Sequence, residues 1–416
     1  MNKRLSPFWR SVATVLTGAL SAQALPMLAA PLLTRLCTPA EIGAFSVWLG
    51  VIAVASIGAS LRLEMSMILE RDAERERTCF GVVAYVATVL ALALTLGLAL
   101  ARMLDAPLLR QMSWAALLTI GIGSWMTAYT QTLLAYATSH NQFGKAARGK
   151  VWTAAAIVLA QLALLWAGVG GGALLAGHLI GLGAGMLATA MLLAPPTPRV
   201  GLLPDALQRA YLREHHAFWR FSLPSSLLNT LVGQLPLFLI GLRHGVLAAG
   251  LFALTLRVLG APIALLASSV LEVFKSQSVR DYQRLGNCRA AYRYTFKVLL
   301  LLGLGPSLVL LLFSPDLFAW VFGASWRAAG ELAQILAPLY FLNFIASPLS
   351  YVFMVAGKQK IELVWQVALF CMTLAIFLAP LTLHQAVHSY AIGYSLLYLV
   401  YLRMSYQCSL NRMVPA

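Results

Sequence analysis

Apolar blocks of about twenty residues recur along the whole chain, separated by short stretches that hold most of the charge. A helix needs roughly 20 apolar residues to cross a hydrocarbon core about 30 Å thick. Twelve such spans are predicted, at residues 11–33, 42–61, 79–101, 113–136, 151–169, 173–194, 221–242, 246–270, 295–314, 330–356, 361–381 and 386–402. Lipid offers the backbone no hydrogen bonds, so each block must satisfy its own, and a helix does that. The pattern predicts an all-α polytopic membrane protein.

Composition agrees. The 416 residues are 60% hydrophobic, with mean hydropathy +0.79, against about 45–50% apolar in soluble proteins. The net charge of +16 would suggest nucleic acid in a soluble chain. Here the basic residues lie between apolar blocks, so they read as topology signals and headgroup contacts, not as a nucleic-acid surface. Twelve spans put 24 Lys and Arg on one side, five on the other and Arg257 inside a span. That bias places both termini in the cytoplasm, and one missed helix would scramble it. Residues 1–24 have the outline of a signal peptide, with Ala22-Gln23-Ala24 at the cleavage position. Cleavage would break the even count, so an uncleaved first helix is expected. Cys37 alone among the five cysteines falls toward the outside, so no external disulfide is expected.

The two halves resemble each other at an offset of about 210 residues. Leu25-Pro26 matches Leu235-Pro236, and Gly43-Ala44-Phe45 matches Gly250-Leu251-Phe252. Glu64 matches Glu272, and GKAARGKVW (144–152) matches GKQKIELVW (357–365). Six spans per half make the repeat parallel, about an axis along the membrane normal. The expected domains are an N-lobe at 1–194, a cytoplasmic linker at 195–220 and a C-lobe at 221–416, two six-helix lobes around a central cavity. Within the linker, DALQRAYLREHHAFWR reads as a basic amphipathic helix on the inner surface. Gly177, Gly181 and Gly185 lie one turn apart and predict close helix packing. Outer loops are short, with no nucleophile elbow, metal-spaced His/Asp/Glu cluster or phosphate-binding glycine loop. No cofactor or metal is expected, and an enzyme is disfavoured.

The segments TRLCTPAEIGAFSVWL, RLEMSMILERD, FSLPSSLLNTLVGQLPLFLIG and FGASWRAAGELAQILAPLYFLNFIASPLS resemble polysaccharide-type flippases. These belong to the multidrug/oligosaccharidyl-lipid/polysaccharide exporter superfamily. The resemblance runs from about residue 11 to 403 and is closest to the O-antigen and exopolysaccharide branch. It implies two six-helix bundles forming a V in the bacterial inner membrane. It implies movement of undecaprenyl-pyrophosphate-linked oligosaccharide to the outer leaflet by alternating access. Glycosyltransferases and a polymerase of the same pathway are the expected partners.

A pyrophosphate and sugar head needs a wet cationic path, and arginine suits phosphate because it stays charged and donates bidentately. Arg257 sits near the middle of its span, where a charge costs roughly 2.5–3.5 kcal/mol on insertion scales. It reads as a phosphate contact or as a structural arginine paired to a neighbouring helix. The resemblance favours the first reading, since basic residues on this helix often line the cavity. Arg35, at the end of the first span, is a secondary contact or a snorkelling interfacial residue. Arg62 and Glu64 open a run of nine charged residues within sixteen positions, Arg62 to Arg77. Two apart, they need not face each other on a helix. Glu64 and Glu272 read as carboxylates that lock an inner gate through salt bridges, or as direct substrate or proton handlers. The rest of the run, from Glu70 to Arg77, reads as a solvated loop. Pro26, Pro31, Pro236 and Pro262 predict bends, either for rocking or for static packing. Asn229 and Gln234 are candidates for the cavity or for helix–helix hydrogen bonds. His178 reads as a packing residue, and Trp9, Trp48, Trp152, Trp219 and Trp326 as an interfacial belt. The rival readings are an ion-coupled exporter of cationic drugs, a membrane polymerase or ligase, and a passive scaffold. The first needs carboxylates near span centres and the second large outer loops, and neither is present.

Overall fold

The computed structural model describes residues 7–70, 72–105, 112–198 and 204–410. Among them are fourteen α-helices and no strand. They are α1 (Pro7–Leu36), α2 (Pro39–Ser60), α3 (Ala73–Met103), α4 (Trp114–Ser139), α5 (Phe143–Trp166), α6 (Ala173–Leu193) and α7 (Ala206–Glu214). After these come α8 (Leu223–Pro262), α9 (Ser268–Leu285), α10 (Arg289–Phe322), α11 (Arg327–Leu349), α12 (Tyr351–Val355), α13 (Gln359–Leu378) and α14 (Leu383–Leu410). Every predicted span falls on helix. The spans at 221–242 and 246–270 share α8, which at 40 residues would be about 60 Å long if straight. That is twice the bilayer core, and the helix is interrupted at Gly245, whose φ of 85° and ψ of 171° are non-helical. The chain is a multi-pass α-helical membrane protein.

Local chemistry sets the boundaries. At the start of α2, Thr38 and Glu41 form a capping box. The Thr38 hydroxyl accepts from the Glu41 N–H at 3.3 Å, and Glu41 Oε2 accepts from the Thr38 N–H at 2.8 Å. Pro39, at the first helical position, loses no hydrogen bond there. Asp205 and Gln208 form the same box at α7. After Pro262, which has no N–H to donate, the helix widens into a π-turn over Ile263–Ala267 before α9 begins.

The chain divides into two units, Met1–Gln234 and Leu235–Ala416. In the first, α4 packs on α2, α3, α5 and α6, and α5 packs on α1 and α6. The α5–α6 pair is close because of the predicted glycines. A Cβ at Gly181 would lie 2.2 Å from Ile157 Cα, and one at Gly177 2.6 Å from Gln161 Cα. In the second unit, α11 packs on α10 and α14, and α14 on α13. The α13–α14 seam is aromatic instead, with Trp365 against Tyr394, Tyr398 and Tyr401 at 4.8–5.8 Å between centroids.

Two expectations change. Trp48 and Trp326 are fully buried, so they are core residues and not part of an interfacial belt. Trp48 Nε1 donates to the Ala116 carbonyl at 3.0 Å, and His178 packs edge-on against its ring. Trp152 and Trp219 remain exposed, and the side chain of Trp9 lies outside the described residues. The linker helix α7 is present, with protein covering only part of its apolar face: Tyr211 is buried in the core cluster formed with Leu63, Phe80 and Tyr136, while Leu207 stays exposed.

Candidate functional site

After Ser60 the chain turns through Leu61 and Arg62, both left-handed, with φ of 50° and 60°. Residues with side chains pay about 1–3 kcal/mol each for such strain, which concentrates at functional sites. A 3₁₀ turn, Leu63–Ile68, follows. The turn sets Arg62 against Glu64, with Arg62 Nη1 donating to Glu64 Oε1 at 3.1 Å. The two meet because the α-helix has already ended, so helical spacing no longer separates them. The pair is incomplete: Arg62 Nε and Glu64 Oε2 are buried without a partner.

The following charges are not a solvated loop. Glu70 is buried and accepts from Arg75 Nε at 2.7 Å, while His215 Nε2 lies 3.3 Å away. Arg75 also reaches Glu214 at 2.6 Å, and this holds the exposed Glu214 carboxyl below its usual range. Glu76 is buried with His140 at 3.5 Å. Burial pushes its carboxyl up, partly opposed by His140. Arg77 Nε donates to the Thr197 carbonyl at 2.8 Å. Beneath these pairs, Tyr211 Oη and Ser66 Oγ share a 2.7 Å hydrogen bond. Sequence reasoning missed this cluster because the partners Thr197, Tyr211, Glu214 and His215 come from the linker, more than a hundred residues away. The one legible signal was the linker's own acid and histidine content.

In the second unit, Thr255 donates to the Leu251 carbonyl at 2.9 Å and the Ala329 carbonyl at 2.8 Å, which pins α8 to α11. Arg257 is two residues on, about 200° around the helix, so it projects away from that contact. It keeps accessible surface although deep among protein atoms. Among the described residues it has no hydrogen bond or ion pair, and no neighbouring charge acts on it. The structural reading of Arg257, an arginine tied to a neighbouring helix, finds no such tie.

Glu272 bonds Lys275 at 2.8 Å, one turn along its own helix. Neither Glu64 nor Glu272 therefore bridges two helices in this conformation. Arg35 is exposed at the end of α1. It stands at the opposite end of the 22-residue α2 from Arg62, a separation of about 33 Å. The two cannot hold one phosphate at the same moment. Asn229 is exposed and Gln234 half-buried on α8, and five residues apart they do not share a face. Pro26 lies inside the unbroken α1 and Pro236 is buried inside α8. The non-helical residue of α8 is Gly245, not Pro236.

Helical membrane proteins of known structure share this fold. An inward-closed lipid II flippase MurJ matches with a TM-score of 0.67 and 13% identity, over 96% of this chain and 87% of that one. Two structures described as a multidrug resistance MATE family transporter of the MOP superfamily also match. The inward-facing one has a TM-score of 0.64 and 17% identity, over 92% of this chain and 93% of the other. The outward-facing one has a TM-score of 0.60 and 15% identity, over 96% of both chains. The fold is that of MOP-superfamily transporters. No curated protein matches the chain in sequence. A family model described as polysaccharide biosynthesis protein matches residues 32–331. The chain belongs to that family, and the resemblance read from its motifs stands.

Proposed function

We propose that the protein is a flippase that moves undecaprenyl-pyrophosphate-linked oligosaccharide from the inner to the outer leaflet of a bacterial inner membrane. The observation that carries this reading is Arg257, a permanent cation within a membrane span that has no ion-pair partner among the described residues. A charge so placed is costly, and a phosphate oxygen of the substrate supplies the missing counter-charge through bidentate hydrogen bonds. The oligosaccharide follows by the same wet path while the polyprenyl chain stays in lipid. Family membership and the transporter fold support this reading. Termini in the cytoplasm and pathway enzymes as partners belong to the same proposal.

Arg35 and Arg62, at opposite ends of α2, would meet the head group early and late in its passage. Asn229 and Gln234 offer hydrogen bonds to sugar hydroxyls. The free Oε2 of Glu64 and Nε of Arg62 suit a turn that gains partners in another state, with Glu272 its counterpart in the second half. Pro26 and Pro236 soften the two helices that would bend. Arg257→Ala should abolish surface polysaccharide in a producing cell while the protein stays in the membrane at normal level. Normal export by that variant would rule out the role of Arg257.

A further inference from the structure

A groove of about 650 Å³ runs between α10 and α14, wholly within the second unit. Four basic side chains line it: Arg289, Arg293 and Lys297 on α10, and Arg403 on α14. The three on α10 are four residues apart, so they form one stripe about 12 Å long. Among the described residues no acidic side chain lines the groove. All four side chains are exposed, and among the described residues none has a hydrogen-bond or ion-pair partner. The arginines that do form ion pairs, Arg62, Arg75 and Arg327, each have a carboxylate within reach, whereas no described carboxylate reaches these four.

The rest of the groove is apolar. Leu300, Leu399 and Leu402 continue it along the two helices. Its floor is fixed by Tyr292, whose hydroxyl bonds Ser405 Oγ at 2.7 Å and donates to the Leu402 carbonyl at 3.2 Å, with the Tyr406 ring tilted against it at 5.6 Å between centroids. A cationic head end joined to a greasy channel on a membrane-spanning surface has the chemistry of a lipid site. Basic pockets between helices, on the side rich in Lys and Arg, recognise anionic headgroups.

We propose that this groove binds an anionic glycerophospholipid of the adjacent leaflet. Its phosphate would lie among Arg289, Arg293, Lys297 and Arg403, and one acyl chain along Leu300, Leu399 and Leu402. Occupation neutralises charge at the α10–α14 seam and braces the two helices. The site is separate from Arg257, so it stands whatever the chain transports.

The test is native mass spectrometry of the purified full-length protein. Dioleoyl phosphatidylglycerol is the probe, and dioleoyl phosphatidylcholine the zwitterionic comparison. The wild type should retain phosphatidylglycerol at least fivefold over phosphatidylcholine. The double variant Arg293→Gln, Arg403→Gln should lose that preference, and Arg280→Gln, an exposed arginine outside the groove, should keep it. Equal retention of the two lipids by the wild type would overturn the proposal, as would equal loss in Arg280→Gln. So would undecaprenyl phosphate displacing phosphatidylglycerol at equimolar concentration, which would make the groove a substrate-lipid site. If the double variant does not fold, the wild type still decides: raising salt from about 0.1 to 1 M shortens the screening length from roughly 10 to 3 Å. Phosphatidylglycerol retention must then fall, and retention unchanged by salt contradicts the assignment.

Discussion

Glu64 and Glu272 hold corresponding places in the repeat, yet their settings differ. Glu64 is buried in a 3₁₀ turn entered through two left-handed residues, half-satisfied by Arg62. Glu272 sits on a regular helix, partly exposed, bonded to Lys275 one turn away. The contrast extends around them. In the first unit, charges near the turn are consumed by one another: Glu70 with Arg75 and His215, Arg75 with Glu214, Glu76 with His140. In the second unit, Arg289, Arg293, Lys297 and Arg403 are left open around a groove. Packing differs too, with glycines joining α5 to α6 and an aromatic seam joining α13 to α14. The first unit satisfies the charges around this turn internally, while the second leaves four cations open around one groove.

The largest expected effect breaks the packing side of this comparison. Gly181→Leu drives a side chain into the backbone of Ile157 and should cost about 3 kcal/mol or more, read as loss of monodisperse protein. Gly183→Ala, whose Cβ would meet only the end of Met126 at 3.4 Å, should melt within a degree or two of wild type. Next comes the paired cluster. Glu70→Gln leaves His215 and Arg75 without their shared anion. The cost should be about 2 kcal/mol in thermal unfolding, below the range for a fully buried pair because Arg75 is half exposed. Lys275→Gln, in the exposed pair of the second unit, should change stability by less than about 0.5 kcal/mol. Equal effects of the two variants would erase the distinction between closed and open halves.

The smallest effect is in pH dependence, and the two acids move in opposite senses. Glu214 is held below 4.5 by Arg75, so its contribution is present above that value and fades as acid protonates it. Glu76 is raised above 4.5 by burial, so its ionised form weakens the fold at neutral pH, and the penalty disappears as pH falls through its raised value. Glu76→Gln should therefore be as stable as wild type, or slightly more so, at pH 7. The difference should close near pH 4 in melting curves. A variant less stable than wild type at pH 7 would make the His140 pairing dominant over burial.

Much of the architecture was legible because its causes are local. Span length and the Gly177–Gly185 spacing each follow from residues that lie near one another in sequence. What stayed hidden depends on distant partners. The run from Glu70 to Arg77 resembled a wet loop because the residues that close it, His215 and Glu214 above all, lie in the linker. Trp48 and Trp326 resembled interfacial anchors because their positions fit a belt, while their burial depends on other helices. Glu64 met Arg62 only because two left-handed residues end α2 early, and neither Leu61 nor Arg62 is a residue type that announces such a turn. Arg257 was visible for the opposite reason: a lone charge in an apolar span stands out without any partner.

That isolation is the central claim, and transport by the reconstituted protein tests it most directly. Proteoliposomes carrying a fluorescent pyrophosphate-linked oligosaccharide would be assayed for transfer between leaflets with wild type, Arg257→Lys and Arg257→Ala. Wild type should transfer the lipid. Arg257→Lys should retain part of the rate, because it keeps the charge and loses the bidentate donor geometry. Arg257→Ala should fall at least tenfold at an unchanged melting temperature. Transfer by Arg257→Ala at the wild-type rate would contradict the account.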